Sequence, residues 1–171
     1  MSCGRVGVAA VVAVVALLLS GCGSGALGTP AEPAVADASR VDMCTILSDV
    51  ELRGLGIDLG SREQVNELGV TGCQWVGKPI TLRLERNEDT VAEYRVRRDD
   101  PAFTSFRENT VNGREGVQFS VTRSGEDCVQ LMEGGPVSLA VGVAAASSLG
   151  PPVDPCAEAV RIAQMIEPRL P

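Results

Sequence analysis

Ile80-Thr81-Leu82-Arg83-Leu84-Glu85 alternates apolar and polar side chains without a break. Successive side chains of a β-strand point to opposite faces, so Ile80, Leu82 and Leu84 share one side and Thr81, Arg83 and Glu85 the other. A strand of this kind covers a core with one face and meets water with the other, the habit of an antiparallel sheet. Upstream, Gly72-Cys73-Gln74-Trp75-Val76 reads as a neighbouring strand. Downstream, Asn112-Gly113 is a two-residue hairpin turn between Phe106–Val111 and Arg114–Val121, because both turn residues tolerate positive φ. A turn at Ser124-Gly125-Glu126 leads into Cys128–Met132, and Val137–Val143 reads as the last strand. Residues 90–98 are read as a helical segment crossing over the sheet.

Helix signals flank this strand region. Asp42 is placed to cap a short helix through Met43–Leu47, and Ser48-Asp49-Val50-Glu51 has the form of a capping box whose helix stops at Gly54 or Gly56. At the other end Asp154-Pro155 pairs an N-cap with proline in the first turn. The helix it opens presents Cys156, Ala159, Val160, Ala163, Ile166 and Leu170 along one face. The expected architecture is an α+β fold, with an antiparallel sheet of about five strands packed by N-terminal and C-terminal helices. Residues 41–171 form one globular domain in this reading.

The N-terminus carries an address. Val6 to Leu19 runs without a charge after Arg5, too short to span a bilayer, which needs about 20 apolar residues. Leu19-Ser20-Gly21-Cys22 ends that run as a lipobox. Residues 1–21 are therefore read as a lipoprotein signal peptide, with the Cys22 thiol taking a diacylglyceryl group at the new N-terminus. One acyl chain binds a membrane marginally and two anchor it stably. Residues 22–40 follow as the lipidated end and a flexible tether, rich in Gly, Ala, Pro and Ser. Gly23-Ser24-Gly25-Ala26-Leu27-Gly28 matches a dinucleotide fingerprint, but a signal precedes it and a proline-containing linker follows, where the motif needs a strand and a helix.

Four of the six cysteines remain for the domain: Cys44, Cys73, Cys128 and Cys156. An even set in an exported chain reads as two disulfides with three connectivities open. The preference is for Cys44–Cys73 and Cys128–Cys156, each closing a loop of about 30 residues. Zinc is disfavoured, because no C-x-x-C pair and no histidine is present. The chain has 15 basic and 22 acidic residues, a net charge of −7 that argues against nucleic acid as a partner.

Asp42-x-Cys44, Gly72-Cys73-x-Trp75, Val111-Asn112-Gly113, Cys128 in a strand and Asp154-Pro155-Cys156 before a terminal helix together carry a resemblance. The chain resembles the actinobacterial (mycobacterial-type Lpr/Lpp) lipoproteins of unknown function over residues 41–171. The resemblance implies an exported α+β domain with paired cysteines and supplies no reaction. Met43 departs from it, standing where proline is common. A looser similarity to extracellular sensor domains of actinobacterial receptor kinases implies ligand or partner sensing, by analogy of fold alone.

Catalytic groups are sparse. Without histidine the usual general base at neutral pH is missing, no G-x-S-x-G occurs, and the only lysine is Lys78. The acid pairs Glu88-Asp89, Asp99-Asp100 and Glu126-Asp127 lack the spacing of a glycosidase pair or a calcium loop and read as turn acids. Trp75 reads as core beside a disulfide rather than as a sugar platform. The expectation is no enzyme and no cofactor. The chain is read as a lipid-anchored, extracytoplasmic cell-membrane protein that binds an envelope protein, a cell-wall component or a lipid. A carrier or sensor of a small apolar or lipid ligand is the alternative, favoured by an open apolar pocket. Small residues in Leu139–Ala146 either leave such a cavity or pack a central strand. A carboxylate-only enzyme is a third reading, signalled by clustered buried carboxyls.

Overall fold

The computed structural model describes residues 37–146 and 153–171. The signal peptide, the lipobox with Cys22, the fingerprint match and the tether as far as residue 36 lie outside the described residues. All seven strands form one antiparallel sheet, in the order β1 (Glu63–Glu67), β2 (Val70–Val76), β3 (Ile80–Asn87), β7 (Ser138–Ala145), β6 (Asp127–Glu133), β5 (Arg114–Ser120), β4 (Thr104–Val111). Two meanders, β1–β3 and β4–β7, are thus joined where β3 pairs with β7.

Seven strands replace the expected five or so. The strand the pattern missed is β1, whose Glu-Gln-Val-Asn-Glu has one apolar residue and leaves no residue fully buried. A strand exposed on both faces shows no alternation, and its ladder with β2 alone places it. Its turn, Leu68-Gly69, also lacks the usual Asn-Gly signal, although φ is +47° and +81° there. Asn112-Gly113 behaves as expected, with φ of +50° and +92°.

Two connections decide which face is covered. From β3 the chain crosses one face through α2 (Val91–Val96), a short helix closed by a Thr90/Glu93 capping box, to reach the far edge at β4. There a bulge between Thr104 and Arg107, with Ser105 at φ +55°, bends the edge strand. From β7 the chain returns over the opposite face through α3 (Pro155–Ile166), capped by Asp154 and packed on β6 and β7. The buried face of α3 holds Ala159, Ile162, Ala163 and Ile166. Ile162 takes the place expected for Val160, which is only partly buried.

The main core lies on the α3 face, where Trp75, Leu82, Leu84, Leu139, Val141, Val143 and Met132 meet the helix. The N-terminal segment closes its other end. Asp42 caps one turn, accepting from the Cys44 amide at 2.9 Å, but no helix follows through Leu47. Burial of Met43 and Leu47 and a fresh cap at Ser48 stop it, and α1 (Asp49–Gly54) begins there with the expected capping box. Ala38 is fully buried and donates its amide to the Gly134 carbonyl at 2.9 Å, so the packed domain takes in residues read as tether. A polar layer sits under the first turn of α3. Gln118 donates to the Cys156 carbonyl at 2.9 Å, and Asn109 and Gln130 exchange amide hydrogen bonds at 2.7 and 2.9 Å. The partners offset the cost of burying these amides.

Candidate functional site

Cross-strand pairing draws one row across five strands on the face opposite α3. Gln74 of β2 pairs with Arg83 of β3, Arg83 with Gly142 of β7, Gly142 with Val129 of β6, and Val129 with Phe119 of β5. The row thus runs from polar and cationic, through a position without a side chain, to apolar and aromatic. The adjacent row, Glu85–Ala140–Leu131–Val117, lies under Val91 and Tyr94. Tyr94, Phe103, Phe106 and Phe119 pack together there, with Phe103 and Phe119 centroids 4.5 Å apart.

α2 packs on β5 and β6 and leaves the sheet open towards β3. The Arg83 row is therefore open from Gln74 to Val129, while Phe119 at its end is buried in the aromatic cluster. A concavity of about 290 Å³ lies over it. Gln74, Thr81 and Arg83 form one wall, and Val121, Val129 and Asp127 the other. Asp127 has its carboxylate engaged, accepting from the Val121 and Thr122 amides at 2.9 Å each.

Arg83 and Glu85 are the charged pair of this face, with Nη2 and Oε1 2.5 Å apart. The approach lacks hydrogen-bond alignment at Oε1. Burial pushes the Glu85 carboxyl above its ordinary pKa, against the pull of the Arg83 guanidinium. The Glu85 side chain is 14% exposed and that of Arg83 45%, so the guanidinium keeps donors open to solvent.

Gly142 differs from its fellow strand glycines. A Cβ on Gly72 or Gly116 would overlap the carbonyl of Leu84 or Leu131 in the next strand. At Gly142 the nearest atom, Arg83 Cβ, would be 3.4 Å away, an ordinary contact. Nothing within the described residues requires glycine there. A glycine inside a strand weakens it and often marks close approach by a ligand or backbone.

The sequence candidates fall elsewhere. Cys44–Cys73 and Cys128–Cys156 are the two disulfides, with S–S distances of 2.08 and 2.02 Å, pinning the N-terminal segment and α3 to the sheet. Trp75 is buried in the main core and presents no face for stacking. Two of the acid pairs sit in connecting segments, where Asp89 pairs with Arg97 at 2.6 Å and Asp100 accepts from the Ala102 amide at 2.9 Å, whereas Asp127 of the third, read as a turn acid, opens β6. Among the described residues no group of three Cys, Asp or Glu is placed to hold a metal, and no helix is long and apolar enough to cross a membrane. A second concavity, of about 320 Å³ and walled by Arg40, Asp42, Gln64 and Arg86, is more polar, and a third lies at Ile57 and Val76.

Sequence reading alone missed Arg83, Gly142 and Val129 as a group, since they lie on three strands. The one available signal was a glycine inside an otherwise strand-like run. Both readings of Leu139–Ala146 are realised, on opposite faces. Leu139, Val141 and Val143 pack the core, while Gly142 and Ala144 line the open side.

Comparison with known proteins adds a family and no activity. A family model described as "Protein of unknown function (DUF3558)" matches residues 17–169, a span that takes in Leu19–Cys22. No curated protein and no solved structure matches the chain.

Proposed function

The chain belongs to the DUF3558 family of proteins of unknown function, and from that premise we propose that it is an exported lipoprotein with a non-enzymatic binding role. Cys22 carries the diacylglyceryl anchor, and the domain stands off the extracytoplasmic face of the membrane to engage an envelope protein, a cell-wall component or a lipid. The finer likeness to the actinobacterial Lpr/Lpp lipoproteins belongs to this proposal.

The observation that supports binding is the open Arg83–Gly142–Val129 row, a concavity on a sheet braced by two disulfides. A preformed surface on rigid strands suits recognition, whereas catalysis by carboxylates needs two of them facing across a cleft. Two paired disulfides accord with an oxidising compartment. The alternative, a carrier or sensor of a small apolar or lipid ligand, is favoured by the apolar wall of that same concavity. Acyl labelling and fractionation of the full chain and its Cys22→Ala variant test the anchor. Label and membrane retention are expected for the first and absent for the second. Retention of the variant in the membrane fraction overturns the lipid-anchored reading.

A further inference from the structure

We infer that the concavity over Gly142 is a binding site for a single-chain amphiphile with a carboxylate head, the head held by Arg83 and the chain laid across the strands over Gly142 and Val129. The inference rests on the binding reading above and names its ligand class.

Three features carry it. The first is charge complementarity. The Arg83 guanidinium is about half exposed and meets one oxygen of Glu85 in an unaligned contact, which leaves planar N–H donors for a second carboxylate. The second is shape. Gly142 stands directly between Arg83 and Val129 in the ladder, and a Cβ placed on it meets only ordinary contacts. A chain leaving the head group therefore crosses β7 in contact with backbone. The third is the polarity gradient along the row. Arg83 to Val129 spans two strand spacings, roughly 10 Å, and the exposed Val121 continues the apolar wall beyond it. A ligand with a charged end and an apolar body satisfies both ends. A purely apolar molecule leaves the solvent-facing donors of the guanidinium unused, and a cationic head meets it with repulsion.

Glu85 gives the site a further property. Its carboxyl is held above the usual range by burial, so it takes up a proton more readily than an exposed glutamate when a second carboxylate arrives beside Arg83.

The test uses the full chain carrying Cys22→Ser, titrated calorimetrically with dodecanoate below its micellar concentration. Dodecyltrimethylammonium and acetate serve as comparators for the head and the chain. Saturable 1:1 binding of dodecanoate is expected, about tenfold or more tighter than either comparator, the scale of one charge-assisted hydrogen bond. Arg83→Gln should weaken it by about the same factor. Gly142→Leu should abolish it while the melting midpoint is unchanged or raised, which separates a filled groove from a damaged fold and from binding at the apolar N-terminus. Absence of binding, equal binding of both head groups, or binding that survives Gly142→Leu overturns the inference. So does a concentration-dependent dimer lost in Gly142→Leu, which assigns the groove to a second copy of the chain. Failure here leaves the Cys22 labelling test untouched, so the two readings fall separately.

Discussion

Glu51 and Arg169 lie 118 residues apart, yet one carboxylate closes the first helix and holds the last turn of the chain. Glu51 accepts from the Ser48 amide at 2.9 Å and the Ser48 hydroxyl at 2.7 Å, completing the capping box of α1. Arg169 Nη1 donates to the same carboxylate at 3.1 Å and to the Ile46 carbonyl at 2.5 Å. The two ends of the described chain are therefore tied at one acid.

The pH dependence of that tie has a definite sign. The Arg169 guanidinium, then the Ser48 hydroxyl and amide, pull the Glu51 pKa from 4.5 to about 2. A depressed carboxyl pKa stabilises the fold above the unfolded value, and the stabilisation fades as pH falls through the folded one. Urea midpoints of the natural chain should drop between about pH 4.5 and 2, the window set by these two values. Glu51→Gln should be less stable at pH 7 and converge on the natural chain near pH 2. Parallel curves across that window would show that the contact does not contribute.

The disulfides should matter unequally by region. Each closes a loop of similar length, 29 and 28 residues apart in sequence, worth about 3–4 kcal/mol on the chain-entropy view. Replacing Cys128 and Cys156 together by serine should release α3 first, read as lost amide protection at Ile162 and Ile166. Replacing Cys44 and Cys73 should loosen residues 38–47 and spare α3. Uniform loss of protection in both variants would refute this division.

Glycines 72 and 142 should respond oppositely to alanine. The Cβ of Gly72→Ala overlaps the Leu84 carbonyl, so β2 and β3 must part and urea stability should fall by about 2 kcal/mol or more. Gly142→Ala meets only ordinary contacts and should be neutral or stabilise by roughly 0.5–1 kcal/mol, since glycine is costly inside a strand. A large loss from Gly142→Ala would mean that the fold itself needs the glycine.

Leu68 is fully exposed and left-handed at the β1–β2 turn. That conformation is costly for a side chain that cannot bond its own backbone, and no burial compensates. Leu68→Asn should raise the urea midpoint by about 0.5–1 kcal/mol in stability, Asn-Gly being the preferred pair for such a turn. An unchanged or lowered midpoint would count against strain at Leu68.

Where local chemistry decides an element, the elements were legible. The alternation of Ile80–Glu85, the caps at Ser48 and Asp154, and the Asn112-Gly113 turn depend on a few consecutive residues, and all appear as read. The helix expected over Met43–Leu47 failed because Met43 and Leu47 are drawn into the core while Cys44 is tied to β2. Ile162 displaced Val160 from the buried face because the direction from which the sheet meets α3 is not written in the helix.

The sequence by itself determined strand periodicity, turn positions, helix starts and the even cysteine set, because each follows from backbone preferences or counts within short stretches. Tertiary structure alone decided the pairing of β3 with β7, the choice among three disulfide connectivities and the crossing of α2 over only part of one face. Those choices depend on hydrogen bonds and packing between distant segments. Arg83 and Gly142 are ladder partners though 59 positions apart, and the open row exists only because their strands pair.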